Sequence, residues 1–203
     1  HKEIASKAEG NYQYVGLGGL TSSVDISDSD GIESIHQLNR EFCELTGLYH
    51  LWKNCDQEIT GLYHYRRFLN LLPEELNTSN HCTINWTDAA KKLLEDPRQS
   101  QKANQILTEY DCILPKPIYC KSVDMHYRQE HGSREWDCFL ERLDHLYGTK
   151  HSLRLEPRFF VGNMFIFNKE IFQQYCSDLF RIIFAVYKEC GSYEAIEGAR
   201  YQP

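Results

Sequence analysis

Apolar residues recur along this chain with two periods, and the changes of period divide it into elements. Leu38, Phe42, Leu45, Leu48, Tyr49 and Trp52 repeat at helical spacing, which predicts a helix over 35–53. A short, largely apolar run over 59–65 predicts a buried strand, ending in Arg66-Arg67. Ahead of the helix, 13–17 has strand character, and a Gly/Ser/Asp-rich loop follows to about residue 31. The stretch 69–85 shows no regular pattern.

Further on, Thr87 can cap a helix that Asp96-Pro97 ends, and a polar helix is expected over 99–110. Residues 111–114 form an expected strand, stopped by Pro115 and Pro117. Ser122 and Ser133 have the chemistry of N-caps for two helices. A strand is expected over 158–167, with Gly162-Asn163 inside it. Asn168 then caps an amphipathic helix of about twenty residues, its apolar stripe running through Ile171, Tyr175, Leu179, Ile182, Ile183 and Val186. Loose alternation of strand and helix predicts an α/β domain with a mostly parallel sheet flanked by helices.

Composition narrows the partners. The 203 residues suit one domain, taken as 1–203, with a sizeable core. Against 22 Lys and Arg stand 29 Asp and Glu, a net charge of -7 that disfavours binding nucleic acid through its phosphates. With 13 Tyr, 10 Phe and 3 Trp the chain is aromatic enough to exclude disorder. No apolar run approaches a membrane span, and no signal peptide is expected. Eight cysteines show neither a C-x-x-C pair nor zinc-type clustering with histidine, so free thiols in a reducing cytoplasm are expected.

Candidate chemistry gathers at the end of the 59–65 strand. In open α/β sheets ligands bind beyond the carboxyl ends of strands. Arg66 and Arg67 are planar, permanent cations suited to a diphosphate, with His64, Tyr65 and Lys53 as accompanying candidates. The ordinary alternative is a solvated strand edge. Glu44 is a weak candidate base on the 35–53 helix, its alternative being an ion pair with Arg40 one turn back. Lys53 equally suits a helix C-terminus. His131 and Asp137, with His126, make the densest acid–base group, although Asp137 also fits the first turn of a helix. Gly162, Asn163 and His131 are candidates for contact with a sugar. Gly16-Leu17-Gly18-Gly19 lacks the Lys-Ser/Thr of a phosphate loop and is expected to be a turn. No metal ligand set is assigned and no cofactor is expected; the competing arrangement is a divalent Mn or Mg site built from Asp28 with Asp30, or from Asp111.

Two blocks carry a resemblance: Asn39 with Cys43-Glu44-Leu45-Thr46, Leu48-Tyr49 and Trp52-Lys53-Asn54, then Gly61-Leu62 and His64-Tyr65-Arg66-Arg67-Phe68. With a later block, Gly162-Asn163-Met164-Phe165-Ile166-Phe167, Tyr175-Cys176 and Leu179-Phe180, they resemble the glycosyltransferase domain of bacterial capsule and O-antigen synthesis clusters. That pattern departs at Glu33-Ser34-Ile35-His36, where the family has Asp-Asn-Ile-Ser. Its closing Gly-x-Leu-x-Glu-Arg-Leu block is missing before Pro203, and His1-Lys2 matches the end of a first strand, so a domain cut at both ends is expected.

The resemblance implies a single Rossmann-like domain of the GT-A type. It also implies transfer of a hexose from a nucleotide sugar, a UDP-sugar and specifically UDP-galactofuranose as the donor to test. The acceptor would be a growing capsule, O-antigen (lipopolysaccharide) or exopolysaccharide chain, an oligosaccharide or lipid-linked glycan. The implied location is the cytoplasm at the inner face of the bacterial plasma membrane, with peripheral membrane association. Arg66 and Arg67 would then replace the metal that an Asp-x-Asp normally holds on the diphosphate. Two rivals differ in class: a non-catalytic module that binds carbohydrate or nucleotide sugar within a larger enzyme, and a phosphotransferase acting on a phosphate monoester.

Overall fold

A computed structural model describes residues 12–64, 67–72, 87–148, 152–160 and 162–191. Its centre is a three-stranded sheet of β3 (Ile59–Leu62), β7 (Phe165–Asn168) and β4 (Cys112–Ile113), with β7 in the middle and antiparallel to both neighbours. A parallel pair, β1 (Val15–Gly16) with β2 (Ile26–Ser27), and an antiparallel ribbon, β5 (Ile118–Tyr119) with β6 (Arg158–Phe159), complete the strands.

The expectation of a mostly parallel sheet is therefore corrected: only β1–β2 pair in parallel among the described strands. The physical reason lies in the connections. β3 and β4 both oppose β7, so they run the same way, with the helices α3 (Asp88–Leu94) and α4 (Arg98–Leu107) falling between them in the chain. That is the usual crossover between parallel strands. β7 arrives only after a long excursion through the ribbon and two more helices, and enters between them in the reverse sense.

β7 organises the core because its alternate side chains point to opposite faces. Phe165 and Phe167 join Ile35, Phe42, Leu48, Phe172, Cys176 and Phe180, residues of the early helical segment and of α7 (Lys169–Cys190). On the other face Met164 and Ile166 pack with Leu69 and with Ala103 of α4. Helices thus cover both faces of the sheet. Trp52 stacks on Phe180 with planes only 4° apart and donates through Nε1 to Gln173 Oε1 at 2.8 Å.

Several caps follow from local chemistry. Thr87, Ser122 and Asn168 each accept from a backbone N–H three residues on, at 3.2, 3.1 and 2.9 Å, opening α3, α5 (Val123–His131) and α7. Ser133 precedes α6 (Arg134–Tyr147) without a side-chain cap bond. No described helix is long and apolar enough to cross a membrane. Cys43, Cys55, Cys112, Cys120, Cys138, Cys176 and Cys190 are free thiols.

Two expected elements are broken, both at left-handed residues. The helix expected over 35–53 is instead a 3-10 turn (His36–Leu38), α1 (Asn39–Phe42) and α2 (Leu45–Asn54), interrupted at Cys43 with φ 46° and ψ -126°. Periodicity hid the break because the apolar stripe continues across it. Side chains compete for the backbone there: Asn39 Nδ2 donates to Cys43 O at 2.8 Å and Thr46 Oγ1 at 3.1 Å. The strand expected over 158–167 is likewise split, because Gly162 (φ 88°) and Asn163 (φ 47°) turn the chain between β6 and β7. Gly162-Asn163 is a turn entering β7, not part of a strand.

Candidate functional site

The carboxyl ends of β3 and β4 lie at one edge of the sheet. Leu62 pairs with Phe165 and Ile113 with Ile166, so the residues after β3 and before β7 are neighbours there. Arg67 comes from the first of these segments. Its N–H donates to His64 O at 3.0 Å, and the two residues bridge in antiparallel sense. The chain has reversed by this point. Tyr65 and Arg66 lie outside the described residues.

Gly162 receives Arg67. A Cβ built on Gly162 would sit 3.6 Å from Arg67 Cδ and 3.7 Å from Nη1, so the exposed guanidinium lies against the glycine backbone. Among the described residues no carboxylate pairs with Arg67. Beside it, Asn163 Oδ1 accepts from Tyr175 Oη at 3.4 Å, a long bond. Burial is the main cause that pushes the Tyr175 phenol up to about 12, with smaller contributions from Cys176 and from the charge of Glu44. Tyr175 accordingly remains a protonated donor, and Glu44 is close enough for its charge to be felt.

Glu44 stands at the start of α2 because of the break at Cys43. It is the N-cap residue of α2, exposed, at the end of the helix where a carboxylate is favoured. The break is held from beneath by a buried network. Asp28 is fully enclosed; its Oδ1 accepts from Gly19 N at 2.8 Å, and its Oδ2 from Gly18 N at 2.8 Å and Thr46 Oγ1 at 2.6 Å. Asn39 Nδ2 joins by donating to Thr46 Oγ1 at 3.0 Å. Gly18 and Gly19 therefore spend their N–H groups on an internal carboxylate, as a turn and not a phosphate loop.

Two carboxylates of the competing metal arrangement, Asp28 and Asp30, lie in or beside the same network. Both Asp28 oxygens are engaged, and Asp30 Oδ2 accepts from Ser27 N at 2.8 Å. Among the described residues no group of three or more His, Cys, Asp or Glu side chains is arranged to hold a metal ion.

The remaining candidates lie apart from this rim. Lys53 Nζ sits 4.0 Å over the Trp52 ring and 3.7 Å from Glu33, occupied on the α2 surface. His131 ends α5 and packs on Tyr127, ring centroids 4.8 Å apart. Asp137 accepts from Arg128 Nη2 at 2.6 Å, and that bond holds its carboxyl below the usual range, a poor setting for a base. No described contact joins His131 or Asp137 to Arg67, Gly162, Asn163 or Glu44. Sequence reasoning placed Tyr175 in an apolar stripe and in a block of the resemblance, and gave it no role at the site. Its hydroxyl, a polar tip on a helix face buried against β7, was the available signal for a role at the rim.

Comparison with known proteins agrees with this architecture. A solved apo structure of the bifunctional glycosyltransferase WbbM superposes with a TM-score of 0.69 at 22% identity, over 93% of this chain and 35% of that one. The chain thus spans about a third of that structure's length, and the likeness is one of fold. No curated protein sequence matches. A family profile matches residues 1–199, and by that match the chain belongs to the domain of unknown function family DUF4422.

Proposed function

We propose that this domain is a glycosyltransferase that takes a sugar from a nucleotide-sugar donor and passes it to a growing surface polysaccharide. The observation that carries this reading is Arg67: an exposed guanidinium, unpaired among the described carboxylates, laid against Gly162 beyond the carboxyl ends of β3 and β4. A guanidinium there neutralises a departing diphosphate directly. Asn163 and the Tyr175 hydroxyl offer polar contacts for the transferred sugar. Glu44, the exposed carboxylate whose charge reaches Tyr175, would take the proton from the acceptor hydroxyl as its oxygen attacks the anomeric carbon and the bond to the diphosphate breaks. The WbbM fold supports the reaction class.

UDP is the proposed nucleotide, with UDP-galactofuranose the first donor to try, and Arg66 is the proposed partner of Arg67. The proposed setting is the cytoplasmic face of a bacterial plasma membrane. A non-catalytic nucleotide-sugar module is the second reading, because this chain spans about a third of a two-activity enzyme. Saturable UDP-sugar binding without turnover distinguishes it.

Calorimetric titration of UDP with EDTA present tests the site. Arg67→Ala should weaken binding by about ten- to a hundredfold, since a charge-assisted contact contributes roughly 1.5–3 kcal/mol. Arg67→Lys should recover only part of that, keeping the charge without the fork. Binding that disappears in EDTA and returns with manganese, while Arg66→Ala and Arg67→Ala bind normally, would put the diphosphate on a metal and sink the proposal.

A further inference from the structure

The β5–β6 ribbon precedes the Gly162-Asn163 turn in the chain, and one of its faces carries two exposed aromatic rings. Ile118 pairs with Phe159 and Tyr119 with Arg158, so the first pair and the second point to opposite sides. On the Ile118–Phe159 side α5 covers Phe159, with His126 packed on it at a ring-centroid distance of 4.9 Å, while Ile118 stays 56% exposed. The other side carries Tyr119, 72% exposed, and Arg158; alternation sets Phe160, 41% exposed, on that side too. Neither Tyr119 nor Phe160 has a ring partner among the described residues.

Arg158 is held by a neighbouring carboxylate. Its Nε donates to Glu156 Oε1 at 2.6 Å and its Nη2 to Oε2 at 3.0 Å, a two-bond fork on the same carboxylate. Two exposed aromatic rings therefore flank a planar, charge-balanced pair rich in donors and acceptors. Phe160 stands two residues before Gly162, so the face is continuous in the chain with the Arg67 rim.

We propose that this face is a subsite for the acceptor glycan: sugar rings stack on Tyr119 and Phe160 while the Glu156–Arg158 pair hydrogen-bonds their hydroxyls. The inference rests on the transferase reading above and adds where the acceptor lies. A pyranose ring presents flat C–H faces and a polar edge, which is the complement of aromatic rings beside a planar ion pair. An anionic lipid surface would instead call for free cations, and Arg158 spends its charge on Glu156. A glycan laid along the ribbon would end at the Gly162-Asn163 turn that follows it in the chain.

An array of bacterial surface oligosaccharides of increasing length, probed with the wild-type chain, Tyr119→Ala, Phe160→Ala and Tyr119→Trp, tests this. The wild type should retain the longer oligosaccharides. Each alanine variant should bind them about tenfold more weakly. Tyr119→Trp should preserve binding, and UDP affinity should be the same in all four. Equal retention by the alanine variants, or no oligosaccharide retained by the wild type, would overturn the subsite. So would a loss confined to phosphatidylglycerol vesicles. If these variants lose glycan while Arg67→Ala still binds UDP normally, the donor reading fails and the subsite stands. If UDP binding depends on Arg67 while glycan retention is unchanged in the alanine variants, the subsite fails and the donor reading stands.

Discussion

Two left-handed turns serve the candidate site, and they are built in opposite ways. At Cys43 the turn rests on a closed network: the Cys43 carbonyl accepts from Asn39 and Thr46, and Thr46 donates in turn to the enclosed Asp28 carboxylate. At Gly162-Asn163 the side-chain support among described residues is one 3.4 Å bond from Tyr175, beside an exposed arginine. Unfavourable backbone persists only where its surroundings over-determine it. The first turn spends its polar groups internally and so fixes Glu44 at a helix start. The second leaves Arg67 and the Asn163 side chain with capacity for a ligand. One is a foundation, the other a contact surface.

The contrast between the turns is broken most directly at Asp28. Asp28→Ala would leave the Gly18 and Gly19 N–H groups without their buried acceptor and shift the Thr46 hydroxyl onto Cys43 O alone. It should cost about 3–4 kcal/mol in denaturant unfolding, since each orphaned buried donor costs roughly 1–3 kcal/mol. A loss under about 1 kcal/mol would mean the network does not hold the turn. Arg67→Ala, by contrast, should leave stability within about 0.5 kcal/mol, as exposed substitutions do.

Tyr175 allows a test by pH. Its folded pKa, about 12, exceeds the ordinary 10.0, so the folded state holds this proton more tightly. The contribution is complete below about pH 10 and is lost as pH rises towards 12. Tyr175→Phe should remove about 2 kcal/mol of the alkaline loss across that window, at 1.36 kcal/mol per unit and with allowance for partial exposure. Identical stability–pH curves for the two proteins would mean the phenol is not shielded at the rim.

A pair of glycine substitutions measures the smallest difference. Cys43 combines φ 46° with ψ -126°, a conformation that a Cβ disfavours, so Cys43→Gly should stabilise by about 1 kcal/mol. Asn163 at φ 47° is a residue type that tolerates positive φ, and Asn163→Gly should change stability by less than about 0.5 kcal/mol. Equal responses at both sites would mean the two turns carry the same backbone strain.

Sequence patterning carried a good part of this fold. Thr87, Ser122 and Asn168 begin helices because a short polar side chain meets an unsatisfied N–H three residues on, a relation contained within a few consecutive residues. The apolar stripe of α7 and the strand character of β3 and β4 are equally local. Patterning failed at Cys43 and at Gly162-Asn163, where apolar spacing runs unbroken across a turn. Breaking those elements draws on distant partners: the Asp28 carboxylate beneath Thr46 in one case, Arg67 and Tyr175 in the other.

By itself the sequence determined which residues could serve a diphosphate or a sugar, because a guanidinium fork or a carboxylate is a property of the residue wherever it stands. Only the tertiary structure decided which of them meet. It set Arg67 against Gly162 and left Glu44 within reach of Tyr175's environment. It also paired Asp137 with Arg128 and Lys53 with Glu33, away from that rim. β7 is the physical reason: entering antiparallel between β3 and β4, it draws a turn from residues 162–163 to the end of a strand nearly a hundred positions earlier. No local pattern encodes that closure, since it depends on burying both faces of β7 at once.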